Sequence, residues 1–408
     1  MTGTEPLPAA HAATPAGKPR ARSLGIPFGG APGPWNAITD VPSVEVGYAT
    51  LIEGGSVRTG VTGIHPRGPA RAADPVAAGF FSLNGNGEMT GVSWIGESGT
   101  FALPIAITNT HAVGVAHAGI VAWTAGHHPE LGDEWPLPVA AETWDGYLND
   151  AYGHHITEAT VVDALEAARG GPVEEGSVGG GTGMICYEFK GGNGTASRWV
   201  GYRGTGYTVG VFLQANFGSR EELTLAGVPV GRLLAGGVLA PSAPGAASPA
   251  RGAAPPARGD VPPGAGSVIA IVATDAPLLP HQCSALARRV THGIARTGTV
   301  SSHFSGDLFL AFSTANPGGF SGYHPPPGAG RDYDQLRFVP WARMNPFFTA
   351  VVQATEEAVA NALVANEDMT GRDGHHVPAL PRDQVAALFR TARGEPPGGA
   401  PGVPRGAA

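Results

Sequence analysis

The stretch GAGSVIAIVATDAPLLP, residues 264–280, decides how this chain is read. It closes a segment, 235–266, built almost entirely from Gly, Ala, Pro, Ser, Val, Leu and Arg. That is a flexible-linker composition, and it is long for an internal loop. An unbroken apolar run of strand type follows, from Val268 to Ala273. Ser267 sits at the seam, where a serine has two readings. It is an ordinary last residue before a strand, or it becomes a new N-terminus if the bond before it is cut. In the second case its α-amino group, with a pKa near ~7.7–8.0, is partly neutral at physiological pH. That amine accepts the proton of its own hydroxyl, so one residue supplies nucleophile and base. Gly266 suits such a step because glycine reaches strained peptide geometry most readily. The long linker gives a cut end room to withdraw. Composition alone leaves both readings open.

On either side of the seam the pattern is mixed α and β. Residues 41–51 (VPSVEVGYATL) alternate apolar and polar side chains and read as a strand, and 76–83, 91–95 and 101–109 read as short strands with turns. Residues 111–123 are ambiguous between strand and helix. Residues 157–169 form a helix with Val161, Val162, Leu165 and Ala168 on one face, ended by Gly170 and Gly171. Segments 184–190, 199–202, 207–215 and 308–313 are strand-like. Residues 281–297 and 346–366 are amphipathic helices. Residues 1–22 and 393–408 are Ala/Pro- or Gly/Pro-rich and are expected to be disordered tails. Residues 23–392 are then one α+β body, with the linker between its parts.

The chain has 408 residues, 42% of them hydrophobic, with 63 Gly and 38 Pro. This is enough for a substantial core crossed by many turns. The formal net charge of −8, with no long basic run, argues against a nucleic-acid partner. No apolar stretch approaches the roughly 18 residues of a membrane span, and residues 1–25 lack the apolar centre of a signal peptide. A soluble, reduced, cytoplasmic protein is expected. Cys186 and Cys283 lie far apart without CxxC spacing and read as small buried hydrophobes. The pairs His127-His128, His154-His155 and His375-His376 give no HExxH. The glycine-rich GSVGGGTG at 176–183 lacks the Lys-Ser/Thr of a phosphate loop and reads as a tight turn.

A resemblance runs through most of the chain. NAITDVPSVEVGYATL at 36–51, FFSLNGNGEMTG at 80–91, ITNTHAVGVAHAGI at 107–120 and AETWDGYLND at 141–150 carry it. So do GSVGGGTGMICYEFKGGNGTASR at 176–198, VGVFLQANFG at 209–218, the segment 266–298, SGDLFLAFSTAN at 305–316 and ATEEAVANALVANEDMTGRDG at 354–374. These motifs, in this order, resemble the β-aminopeptidases and the related L-aminopeptidase/D-esterases over roughly residues 23–380. The resemblance implies an αββα four-layer sandwich, Ntn-hydrolase-like with different connectivity. It implies self-cleavage between Gly266 and Ser267, giving chains 1–266 and 267–408 of one folded unit. Homo-oligomers, commonly tetramers, are expected by the same likeness.

Site residues carry over by motif. Ser305 and Asp307 in SGD match a serine and an acidic residue near the nucleophile. Some relatives carry Glu there, and Asp is one methylene shorter. Asn216 in QANFG matches an oxyanion donor, a task suited to an amide NH2. Glu142 in ETWDG matches the carboxylate that pairs with a substrate's free amine, and Trp144 would line the pocket. The implied activity is release of β-amino or L/D-α-amino N-terminal residues from short peptides, amides and esters through a Ser267 acyl-enzyme. No metal or organic cofactor is expected. Acyltransfer or nylon-type amide hydrolysis on the same architecture, or a non-enzymatic unprocessed scaffold, are the alternatives.

Overall fold

The computed structural model describes residues 7–235, 266–320 and 333–394. The seam opens its central strand. In chain order the strands of the two main sheets are β1 (Glu45–Glu53), β2 (Val57–His65), β3 (Val76–Gly85), β4 (Thr100–Phe101) and β5 (Ile105–Asn109). They continue with β6 (Val139–Thr143), β7 (Gly192–Tyr202), β8 (Thr205–Asn216), β9 (Gly266–Thr274) and β10 (Ser305–Ser313). One sheet has the order β1-β2-β5-β6 and the other β4-β3-β10-β9-β8-β7. Pairing is antiparallel except for β5 with β6 and β9 with β10.

The apolar run of β9 is unbroken because both its faces are covered. Ile269, Ile271 and Ala273 pack between the sheets, with Phe212, Leu308, Leu310 and Phe312 from the larger sheet and Ile64, Ile105, Ile107 and Val139 from the smaller. Val268, Ala270 and Val272 face the other way. They meet α3 (Pro280–Ala295) and α4 (Asn345–Val364) through Leu286, Val290, Val351 and Val359. Helices α1 (Val113–His127) and α2 (Glu158–Glu166) cover the smaller sheet with Ile120, Trp123, Val161 and Leu165. The layers are therefore helix, sheet, sheet, helix, the αββα sandwich that the resemblance implies.

Several local expectations are corrected. Residues 91–95 are not a strand; Val92–Ser98 is a helical turn closed by Gly99 at φ 73°. Residues 111–123 resolve as helix α1. Strands β2 and β6 and the helix Arg382–Ala392 had no separate signal. The tail expectation for residues 1–22 is overturned for 7–22. Arg20 is buried there, with Nε 2.7 Å from Glu175 Oε2, and its Nη2 donates to the carbonyls of Asn36 and Thr195. Local composition is blind to such partners, of which Glu175 and Thr195 lie 155 and 175 residues away in sequence. Residues 236–265, all but the ends of the expected linker, lie outside the described residues, as do 1–6 and 395–408.

A buried ionic knot pins this N-terminal strap to α4. Glu357 accepts from Arg22 (2.6 and 2.7 Å), Arg198 (2.6 Å) and Asn36 (2.6 Å). Burial alone would raise its pKa, but Arg198, Arg22 and Asn36 outweigh burial and hold it below the usual carboxylate range. Its contribution to stability is present at neutral pH and is lost as pH falls through that depressed value. Glu357→Ala leaves two arginines facing each other in the interior, and should cost about 3–5 kcal/mol at pH 7 in urea unfolding, and less in acid.

Candidate active site

Ser267 is the second residue of β9, paired with Asn216 on β8 and Gly306 on β10. It is 3% exposed. Strand alternation sets its side chain with Ile269, toward the smaller sheet. There the chain leaving β6 arrives, and the Trp144 N–H points at Ser267 Oγ at 3.4 Å. The Trp144 carbonyl accepts from Asn216 Nδ2 at 2.8 Å. Asn216 is fixed from its other end, where Oδ1 accepts the Ile185 N–H at 2.9 Å. The two bonds orient the amide so that its NH2 lies on the nucleophile's side. Gln214 Nε2 bonds Thr143 Oγ1 at 2.7 Å and ties β6 to β8 just before this point.

Gly266 has a different justification from the one its sequence position suggests. It lies in regular strand pairing outside the left-handed region. What excludes a side chain is crowding, since a Cβ would fall 2.1 Å from the Asn216 carbonyl oxygen.

Ser305 and Asp307 form a second group. Ser305 Oγ donates to Asp307 Oδ1 at 2.6 Å, and both residues are 1% exposed. Ser305 pairs with Gly266, and Asp307 with Val268. Alternation therefore places them on the face opposite Ser267 Oγ, beside the Gly266–Ser267 peptide. Among the described residues no hydrogen bond joins Ser267 Oγ to either. Burial raises the Asp307 pKa, while Ser305, Asn84, Ser301 and the Val268 N–H pull it down.

Glu142, at the end of β6, is the third group. Its carboxylate accepts from the Glu88 N–H at 2.9 Å and from the Thr110 hydroxyl. Burial raises its pKa more than Thr110 and the Glu88 N–H lower it. A Cβ on Gly87 would lie 3.2 Å from Glu142 Oε1 and 3.1 Å from Gly306 Cα, so this carboxylate stands close to the residue paired with Ser267. The Trp144 ring is half-buried, against Tyr147, Leu148, Ile185 and Val377, and close over Gly146. Its main chain, rather than its ring, makes the contact with the nucleophile.

The sequence did not single out Asn84, Thr110 or the backbone donors of Trp144, Ile185 and Glu88. Asn84 and Thr110 lie inside quoted motifs but have no reactive chemistry of their own. Backbone donors have no residue-type signal at all. Cys186 and Cys283 are fully buried, and burial pushes the Cys283 thiol up.

A buried serine at a strand start, between an amide and a backbone donor, suits nucleophilic attack on a carbonyl. The family model that matches residues 36–377 is described as peptidase family S58. The chain belongs to peptidase family S58. It is 46% identical over 383 residues to "Beta-peptidyl aminopeptidase BapA" of Sphingosinicella microcystinivorans, covering 92% of this chain and 93% of that one. Among solved structures, the L-aminopeptidase D-Ala-esterase/amidase of Ochrobactrum anthropi is 41% identical with a TM-score of 0.79, covering 93% of this chain and 99% of that one. Its description makes it a prototype of the serine aminopeptidases and a new variant among the Ntn hydrolase fold. A Burkholderia sp. beta-aminopeptidase is 44% identical with a TM-score of 0.77, covering 94% and 100%. The S58 chain described here thus has the αββα architecture as an Ntn-hydrolase variant, and it is a peptidase by family.

Proposed function

We propose that this S58 peptidase cuts itself between Gly266 and Ser267 and then releases N-terminal residues from short peptides, amides and esters, with β-amino residues preferred. The observation that carries the reading is Ser267 Oγ, buried at the register of Asn216 with the Trp144 N–H directed at it. In maturation, Ser267 Oγ attacks the Gly266 carbonyl carbon. The C–N bond breaks, the Ser267 amine is released, and water hydrolyses the ester to leave Gly266 with a carboxylate. In turnover, Oγ attacks the first carbonyl of the substrate while the new amine takes its proton. That proton passes to the leaving amine, and water then hydrolyses the acyl-enzyme. Asn216 Nδ2 and the Trp144 N–H are the oxyanion donors in this scheme. Ser305 and Asp307 flank the cut peptide, so the partner they meet is the new amine rather than the hydroxyl. Processed units would associate as homo-oligomers.

Glu142 receives the substrate ammonium. A buried carboxylate held by a neutral hydroxyl and a backbone N–H is stabilised when a cation arrives. This explains a demand for a free N-terminus. Glu142→Gln is expected to lower kcat/KM for a free-amine substrate on the order of 100-fold, mostly through KM. Steady-state kinetics on β-alanyl-p-nitroanilide and its N-acetyl analogue check this, and the N-acetyl compound should be poor with both proteins. The preference for β-residues is supported by the relatives at 46% and 44% identity, a beta-peptidyl aminopeptidase and a beta-aminopeptidase. p-Nitroanilides of β-alanine, L-alanine and D-alanine test it. Faster turnover of L-alanine would move the reading to the α-amino branch named for the relative at 41% identity.

A further inference from the structure

The pairing of β3 with β10 contains one irregularity, and it falls beside the acidic group of the site. Leu308 pairs with Ser82, whereas Asp307 pairs with Asn84, so Leu83 is an extra residue. Had the Leu308 register continued, Leu83 would stand opposite Asp307. The bulge replaces that apolar neighbour with an amide, the kind of re-aiming that bulges perform next to active sites. Asn84 Nδ2 lies 3.0 Å from Asp307 Oδ2, and 3.3 and 3.2 Å from the carbonyls of Ser301 and Ser302. With Ser305 Oγ on Oδ1, both oxygens of this short carboxylate are engaged.

We propose that Asn84 is a positioning residue for turnover, presented by the Leu83 bulge to hold the Asp307 carboxylate ionised and aimed along Ser305 at the Ser267 amine. The proposal rests on the peptidase reading above. Asn84 does not touch the substrate carbonyl in this scheme and acts only through Asp307. A donor to the charged form stabilises that form, so its loss lets burial push the Asp307 carboxyl higher.

The groups facing Asp307 are few. From β9 come the Val268 N–H and, after cleavage, the Ser267 amine. From the preceding segment comes the Ser301 hydroxyl, while His303 is exposed and meets the Phe304 ring edge-on. From β3 comes Asn84. Glu142 lies beyond Gly306 and Gly87. Glu142 acts on substrate capture, so the acid limb read on kcat, with substrate saturating, reports on the coupled pair of Asp307 and the Ser267 amine.

The experiment is the pH dependence of kcat for processed wild type, Asn84→Ala and Asn84→Ser on β-alanyl-p-nitroanilide, with Ser267→Ala alongside. For Asn84→Ala, the acid limb should move up by roughly one pH unit, with KM nearly unchanged and kcat recovering at alkaline pH. Asn84→Ser keeps a donor on a shorter side chain and should shift less in the same direction. If Asn84→Ala is not recovered folded, Asn84→Ser alone decides by the direction of its limb. A variant recovered folded that stays uncut overturns the proposal, which confines Asn84 to turnover. An unmoved limb, whether or not kcat falls, overturns the role of Asn84. Activity retained by Ser267→Ala would instead overturn the peptidase mechanism on which it rests.

Discussion

Ser267→Ala is expected to remain a single uncut chain and to lose turnover on the order of 10⁴-fold or more, because the same oxygen serves both steps. Denaturing electrophoresis reads the first effect and nitroanilide hydrolysis the second. The size of the loss follows from the geometry. Ser267 stands where β8, β9 and the chain leaving β6 converge, and among the described residues its Oγ is the one hydroxyl bonded by the Trp144 N–H. Ser305, the nearest alternative hydroxyl by register, donates to Asp307 on the opposite face of the strand. It cannot reach the same donors without turning the strand over. Ser267→Cys separates the two roles. A thiol is intrinsically more nucleophilic than a hydroxyl and depends less on a neighbouring base, so two fragments should still form, while amide turnover falls.

The second large effect is expected at Asn216. Asn216→Ala removes one oxyanion donor and should lower kcat by about 10²–10³-fold, the usual cost of such a donor. KM should change little, because the donor acts on charge that develops only during reaction. The variant also frees the Ile185 N–H and the Trp144 carbonyl, both of which Asn216 engages. Asn216→Asp is therefore the sharper comparison. It keeps an acceptor for the Ile185 N–H but puts negative charge where negative charge must develop, so its kcat should fall at least as far as that of Asn216→Ala. A Thr-like or Ser-like partial rescue is not expected, since neither side chain spans from Ile185 to Trp144.

Much of this arrangement is legible in the residues. Val268 to Ala273 shows a doubly covered central strand, because only a strand buried on both faces is apolar without alternation. The periodicity of 281–297 and 346–366 marks the two helices that cover it. The SGD motif and QANFG then fall at their register positions beside Ser267. The remainder is hidden for identifiable reasons. Arg20 and Arg22 sit in a segment of tail-like composition, and their carboxylate partners, Glu175 and Glu357, are distant in sequence. The Leu83 bulge is a difference in register between two strands, and no window on one strand contains it. The Trp144 and Ile185 donors are backbone groups, identical at every non-proline residue. Gly266 is legible as glycine but not for its reason, which is the nearness of the Asn216 carbonyl.

The central claim is that one gene product becomes two chains with Ser267 at the head of the second. Intact mass measurement of freshly purified wild-type protein under denaturing conditions tests this most directly. Two species are expected, one ending at Gly266 and one beginning at Ser267 with a free amine. A single uncut chain of 408 residues that nevertheless hydrolyses nitroanilides at full rate would contradict it.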